Sequence, residues 1–311
     1  MSLKLVRVYP NTNLKKLENI SAVIGNFDAF HKGHISLINQ LKIEPGNKKA
    51  LISFYPHTKE FFTGSKYKYI NSLKDRIAIL NDLKFDYLFL IKFNKEFSSL
   101  TAENFIKEYL IKKLKINFLI TGSDFKFGFK QQGDSLLLEE LSLKYNYKYE
   151  SIDIKSLNSS KISSTNIKQD IKNGNFKDCR TKLGRDFQIA GKVIKGDQRG
   201  REIGFKTANI DPKNYVLPKL GVYITKVKLK GKLYNSISNI GIRPSFSGDN
   251  KVVLETHIFD YLGKDFYNED ISVIFLKFLR DETKFNSINE LILQIEIDIK
   301  KAKKFHDKQE I

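Results

Sequence analysis

The period of the apolar residues changes near Gly184, and that change divides the 311-residue chain into two kinds of fold. Before it, short apolar runs alternate with amphipathic stretches. Strands are expected over residues 21–27, 49–54, 86–91, 117–122 and 149–154, and helices over 34–42, 73–83, 101–113 and 135–145. Thr101-Ala102-Glu103-Asn104 offers the hydroxyl expected at a helix start. Strands alternating with helices make a parallel α/β sheet, whose ligands sit beyond the carboxyl ends of the strands. After Gly184, strands are expected over 187–195, 221–229, 233–240, 252–261 and 271–279, with Lys230-Gly231 as a hairpin turn. No long helical pattern separates them, which describes a small antiparallel barrel. A last helix over 287–305 carries Ile288, Leu291, Ile292, Ile295, Ile299 and Ala302 at three- and four-residue spacing, a stripe suited to sealing one side of the barrel. A hydrophobic content of 41% is enough for two cores, and the expected domains are 1–183 and 184–311.

The densest motif of the first half is Gly25-Asn26-Phe27-Asp28-Ala29-Phe30-His31-Lys32-Gly33-His34. It follows the apolar run Ser21-Ala22-Val23-Ile24 and leads into a helical pattern, so it occupies a strand-to-helix junction. Unpaired backbone N–H groups and the positive end of the helix dipole favour an anion there. Two imidazoles three residues apart add donors, and the glycine between them admits close backbone approach. The arrangement suits nucleotide phosphates. By itself a His-x-x-His pair also fits a capped surface turn or part of a metal site.

The whole string is more specific. It resembles the signature of nucleotidylyltransferases that bind ATP through a His-x-Gly-His turn, and most closely that of the bacterial bifunctional riboflavin kinase/FAD synthetases. Ala29 stands where that family usually has glycine. The resemblance implies a Rossmann-like α/β nucleotidylyltransferase domain in which Gly25, Asn26, Phe27, Asp28, His31, Gly33 and His34 bind ATP. A second segment, Lys161-Ile162-Ser163-Ser164-Thr165-Asn166-Ile167-Lys168, resembles the family's Ile-Ser-Ser-Thr-x-Ile-Arg motif, which closes over the phosphates. It assigns Ser163, Ser164, Thr165 and Lys168 to ATP, although Ser164 or Thr165 is equally a helix cap and Lys168 lacks the arginine fork. Gly122-Ser123-Asp124-Phe125 and Phe54-Tyr55-Pro56-His57 resemble segments linked to the flavin pocket of the adenylylating domain. That likeness implicates Phe54, Pro56, His57, Asp124 and Phe125.

The second half has its own dense motif, Gly191-Lys192-Val193-Ile194-Lys195-Gly196-Asp197-Gln198-Arg199-Gly200-Arg201-Glu202-Ile203-Gly204-Phe205-Lys206-Thr207-Ala208-Asn209. Its glycines and arginines suit a loop that wraps phosphate. The hydroxyl of Thr207 and the amide oxygen of Asn209 are hard ligands for Mg²⁺. A hairpin containing glycine and arginine is otherwise an ordinary turn. The full string resembles the riboflavin kinase signature, with Lys206 in place of a proline. It implies a β-barrel kinase that binds ATP through Gly196, Arg199, Gly200, Gly204, Thr207 and Asn209, with the metal at Thr207 and Asn209. Leu254-Glu255-Thr256-His257-Ile258-Phe259 matches the same pattern, and the resemblance puts Glu255 at the reactive hydroxyl of the flavin. A primary alcohol is a poor nucleophile, and a positioned carboxylate can orient it and accept its proton.

The resemblance covers nearly the whole chain. It implies phosphorylation of riboflavin to FMN, then adenylylation of FMN to FAD with release of pyrophosphate. ATP is the co-substrate and Mg²⁺ the cofactor, with His31, His34 and Glu255 as catalytic groups. A regulatory, non-catalytic first domain is the alternative reading, although both histidines are present. A formal net charge of +19 raises a nucleic-acid partner. The basic residues are 46 lysines against eight arginines, scattered over both halves, and sequence-reading contacts lean on arginine, so no nucleic-acid role is expected. No run reaches the length of a membrane span, and the single Cys179 excludes an intramolecular disulfide, which fits a reducing cytoplasm.

Overall fold

The computed structural model describes residues 2–14, 16–153, 162–195, 204–244, 250–261, 263 and 266–308. By contacts the chain falls into two units. One comprises Met1–Tyr67 with Leu73–Ile162, and the other Lys68–Ser72 with Ser163–Ile311.

The first unit is built on six parallel strands in the order β1-β4-β3-β2-β5-β6. They are β1 (Lys4–Val8), β2 (Ile20–Ile24), β3 (Lys48–Tyr55), β4 (Tyr87–Lys92), β5 (Ile116–Gly122) and β6 (Lys148–Ile152). The intervening helices are α1 (Lys32–Asn39), α2 (Thr58–Thr63), α3 (Leu73–Asp82), α4 (Lys95–Ser98), α5 (Ala102–Asn104, running on as a π-helix over Phe105–Lys113) and α6 (Ser135–Tyr145). Thr101 caps α5 as its sequence suggests, accepting a hydrogen bond from the Asn104 N–H. All five residues of β2 are buried, as a central strand covered on both faces demands. Ile20, Ala22 and Ile24 join one core with Ala50, Ile52 and Phe89, while Val23 joins the other with Leu51, Leu88 and Ile38. The strand stops at Ile24, short of the expected Phe27, because residues 25–31 turn away to start α1. Of the strand expected over 149–154, Ile154 lies outside the described residues.

The second unit opens with α7 (Ser164–Asn173) and α8 (Phe176–Leu183). Six antiparallel strands follow in the order β7-β12-β9-β10-β11-β8: β7 (Gln188–Lys192), β8 (Ala208–Ile210), β9 (Gly221–Leu229), β10 (Lys232–Pro244), β11 (Asn250–Ile258) and β12 (Asp270–Arg280). Lys230 (φ 49°) and Gly231 (φ 81°) join β9 to β10 with the two left-handed residues of a tight hairpin turn. The sheet nearly closes. Its edges meet just past the end of β7, where the Ile194 N–H donates to the Asn209 carbonyl of β8 at 2.9 Å. Closure leaves no room for a side chain at Gly191, where a Cβ would lie 2.3 Å from Ile210 Cγ2.

Along β9 the residues alternate. Tyr223, Thr225, Val227 and Leu229 are fully buried on one face. Val222 and Ile224 on the other face pack with Ile237 and Phe259 against Ala302, Ile299 and Phe305 of α9 (Ile288–Asp307). Ser287 caps α9 through the Glu290 N–H, and the Glu290 carboxylate reaches back to the Asn286 N–H, so the helix that covers the barrel starts at a fixed point.

Candidate active sites

In the first unit, the chain runs from β2 to β3 and β4 on one side, then returns to β5 on the other. The reversal makes the carboxyl end of β2 a topological switch point, the place where open α/β sheets take their ligands. Residues 25–34 lie there. Phe27 and Phe30 both have φ of 45°, an uncommon conformation for aromatic residues, and both rings are buried. Ala29 is fully buried and is not among the residues with positive φ, so alanine suits its backbone. His31 is the N-cap of α1, with Nδ1 accepting from the His34 N–H at 3.2 Å. An imidazole that accepts at Nδ1 carries its proton on Nε2, which makes the far edge of the ring a donor. His34 stacks on His31 with ring centroids 3.7 Å apart. Asn26 donates to Thr58 Oγ1 at 3.3 Å, and Asp28 accepts from the Tyr67 hydroxyl at 2.9 Å. Gly33 falls in the first turn of α1, where a helix presents its N–H groups to an anion.

The flavin candidates of this unit follow the neighbouring strands. Phe54, Pro56 and His57 lie at the end of β3, and Asp124 and Phe125 lie just past β5, so the two groups flank the β2 turn. His57 repeats the role of His31, capping α2 through the Lys59 N–H, and its ring stacks on Tyr67 at 3.6 Å. Asp124 is exposed, whereas Phe125 stacks on the core ring of Phe127. Sequence reasoning passed over three neighbours. Tyr67 holds Asp28, Arg76 Nη2 donates to Ser53 Oγ at 2.9 Å, and Ser53 in turn donates to the Asn26 carbonyl. None lies in a motif, and only the fold brings them here. It also gathers Phe54, Phe61, Phe62 and Phe93 edge to face, with Phe62 left 70% exposed.

Ser163, Ser164, Thr165 and Lys168 lie at the start of α7 and group by contacts with the second unit. Ser163, rather than Ser164 or Thr165, is the cap, accepting from the Asn166 N–H at 3.2 Å. Lys168 donates to the Lys68 carbonyl at 2.6 Å. Cys179 is fully buried in α8, and burial pushes its thiol up to about 12. It is a core residue and no nucleophile.

On the barrel, register assembles what the sequence scatters. β11 pairs Glu255 with Asn209 of β8 on one side and with Asn239 of β10 on the other. Cross-strand partners share a face, so an amide, a carboxylate and an amide form one row. The row borders a cavity of about 360 Å³ between the outer barrel face and α9, lined by Thr207, Asn239, Glu255, His257, Arg280 and Phe285 among others. Arg280 Nε donates to the buried Asp298 of α9 at 2.8 Å, and Gln294 donates to the other oxygen of that carboxylate, which holds the far wall. Gly204 has φ of 88°, a conformation glycine adopts freely, just before Phe205 and Thr207. Gly196, Arg199 and Gly200 lie outside the described residues.

Among the described residues, no group of three or more His, Cys, Asp or Glu could hold a metal ion. Thr207 and Asn209 instead offer neutral hard oxygens beside one carboxylate. That set fits Mg²⁺, which keeps waters and substrate phosphates and takes few protein ligands.

Known proteins agree with this layout. Residues 13–166 match the family model for FAD synthetase, and residues 183–306 match that for riboflavin kinase. The bifunctional riboflavin kinase/FMN adenylyltransferase of Buchnera aphidicola subsp. Schizaphis graminum is 42% identical over 313 residues, 97% of this chain and 99% of that protein. Its counterpart from Escherichia coli strain K12 is 35% identical over 309 residues, 97% of this chain and 98% of that one. A solved structure named as a macrolide-efflux protein from Streptococcus pneumoniae superposes with a TM-score of 0.80 at 26% identity, covering 96% of this chain and 98% of its own. No helix among the described residues is long and apolar enough to cross a membrane. With both family models matched in order and relatives aligned from end to end, the chain belongs to the bifunctional riboflavin kinase/FMN adenylyltransferase family.

Proposed function

We propose that the barrel phosphorylates riboflavin to FMN and that the parallel-sheet unit adenylylates FMN to FAD. In the first reaction, riboflavin enters the cavity above Glu255. The carboxylate accepts the proton of the 5′-hydroxyl as its oxygen bonds to the γ-phosphorus of ATP, and ADP leaves. Thr207 and Asn209 hold Mg²⁺, which offsets charge on the phosphates. Phosphoryl transfer of this kind asks the protein mainly for positioning and electrostatics.

In the second reaction, a phosphate oxygen of FMN attacks the α-phosphorus of a second ATP, and pyrophosphate departs. His31 donates from Nε2 toward the charge that develops at the phosphorus and on the leaving group, with His34 stacked beside it. The N–H groups of the first turn of α1 add to that field. The aromatic shelf of Phe54, Phe61, Phe62 and Phe93 is apolar, partly exposed and suited to an isoalloxazine ring. We assign both reactions to the cytoplasm.

The observation that supports the kinase reading most directly is the pairing of Glu255 with Asn209 at the edge of a cavity. The test is to incubate the purified full chain with riboflavin, ATP and Mg²⁺ and to separate the flavins by chromatography. FMN followed by FAD is expected. Absence of both contradicts the proposal, and FMN without FAD removes the role given to the sheet unit.

A further inference from the structure

Asn239 has no part in the mechanism above, yet it sits beside Glu255 in the cross-strand row. It lines the same cavity. Its amide nitrogen is turned toward Glu282 Oε1 at 3.4 Å, the outer limit of a hydrogen bond. Its carbonyl oxygen Oδ1 is buried and meets no donor among the described residues. Buried acceptors are nearly always satisfied, and one left unpaired weakens the fold. Residue 241, two positions along β10 and on the same face, is glycine. A Cβ there would lie 2.4 Å from Glu282 Oε1 and 2.9 Å from Asn239 Nδ2. The glycine therefore makes the room in which Asn239 and Glu282 meet. Glu282 Oε1 lies near the nitrogen end of the amide, and Asn239 lines the cavity beside Glu255 with its oxygen buried, so a small turn of the amide about Cβ–Cγ brings that acceptor to the cavity.

Resting on the kinase reading, we infer that Asn239 Oδ1 accepts a hydrogen bond from a hydroxyl of the ribityl chain of riboflavin, and so aims the terminal 5′-hydroxyl at Glu255. Asn239 is then a residue that recognises the polyol and not the flavin ring. A site built around a substrate hydroxyl discriminates against the analogue that lacks it, because the protein group is left unpaired.

The test compares riboflavin with lumiflavin, which keeps the ring system but has a methyl group in place of the ribityl chain. Dissociation constants for both are measured on the full chain by quenching of flavin fluorescence, for the wild type, Asn239→Ala and Asn239→Ser, with melting temperatures as a check on folding. Asn239→Ala should weaken riboflavin about tenfold and leave lumiflavin unchanged. Asn239→Ser, which retains an acceptor, should recover part of the loss. Equal weakening of both ligands, or of neither, overturns the inference. FMN formation by the wild type is recorded in parallel. Its absence counts against the kinase reading, whereas the ratio of the two dissociation constants decides the role of Asn239 whether or not turnover occurs.

Discussion

His31 serves a structural and a chemical purpose with the two nitrogens of one ring. Nδ1 closes the first turn of α1, and that same bond keeps the proton on Nε2. The two purposes separate by substitution. Asparagine is among the best N-cap residues but has no second ring nitrogen, whereas alanine removes both functions. His31→Asn should keep its melting temperature near that of the wild type and lower FAD formation about 10²–10³-fold. His31→Ala should lose the same activity and also roughly 1 kcal/mol of stability. Calorimetry beside a flavin assay separates them, and a His31→Asn chain with full FAD formation contradicts the role given to Nε2. At this scale the sequence is clear about residue types and unclear about which atom does what. Ser163, Ser164 and Thr165 are three consecutive hydroxyls, any of which is a plausible cap, and only the backbone conformation selects Ser163.

Among the elements, segments with a clear period or a continuous apolar run were readable, and those with neither were not. The helix expected over 135–145 is α6 as observed, and the strand expected over 221–229 is β9, because each has enough turns or alternations to show its period. β1 has five residues at a sheet edge with mixed exposure, and β8 has three residues inside a loop-rich motif. Neither is long enough to set up a pattern. Yet β8 brings Asn209 to Glu255 and meets β7 at the barrel seam. Register of this kind is a long-range property that local sequence does not carry. The seam offers its own test. In Gly191→Ala the new methyl collides with Ile210, so β8 must shift or the seam must open. Overpacking of this kind costs about 1–3 kcal/mol. The variant should melt at lower temperature and lose riboflavin phosphorylation more than FMN adenylylation. Unchanged melting and unchanged kinase activity would show that the seam tolerates a side chain.

The molecule as a whole carries two reactions in sequence on one chain, with the product of the barrel as the substrate of the sheet unit. The change of period near Gly184 announced two architectures, and the motifs announced two chemistries. What neither disclosed was the set of supporting groups, such as Tyr67 on Asp28 or Asn239 beside Glu255, which lie far apart in sequence. Each reaction is therefore expected to fail without the other failing. The most direct measurement is chromatography of flavins formed by Glu255→Gln with ATP and Mg²⁺, supplied in one vessel with riboflavin and in another with FMN. Loss of a positioned base should slow FMN formation roughly 10²–10⁴-fold. FAD formation from supplied FMN should proceed at the rate of the wild type. Rapid FMN formation from riboflavin, or loss of FAD formation from FMN, would contradict the division of labour.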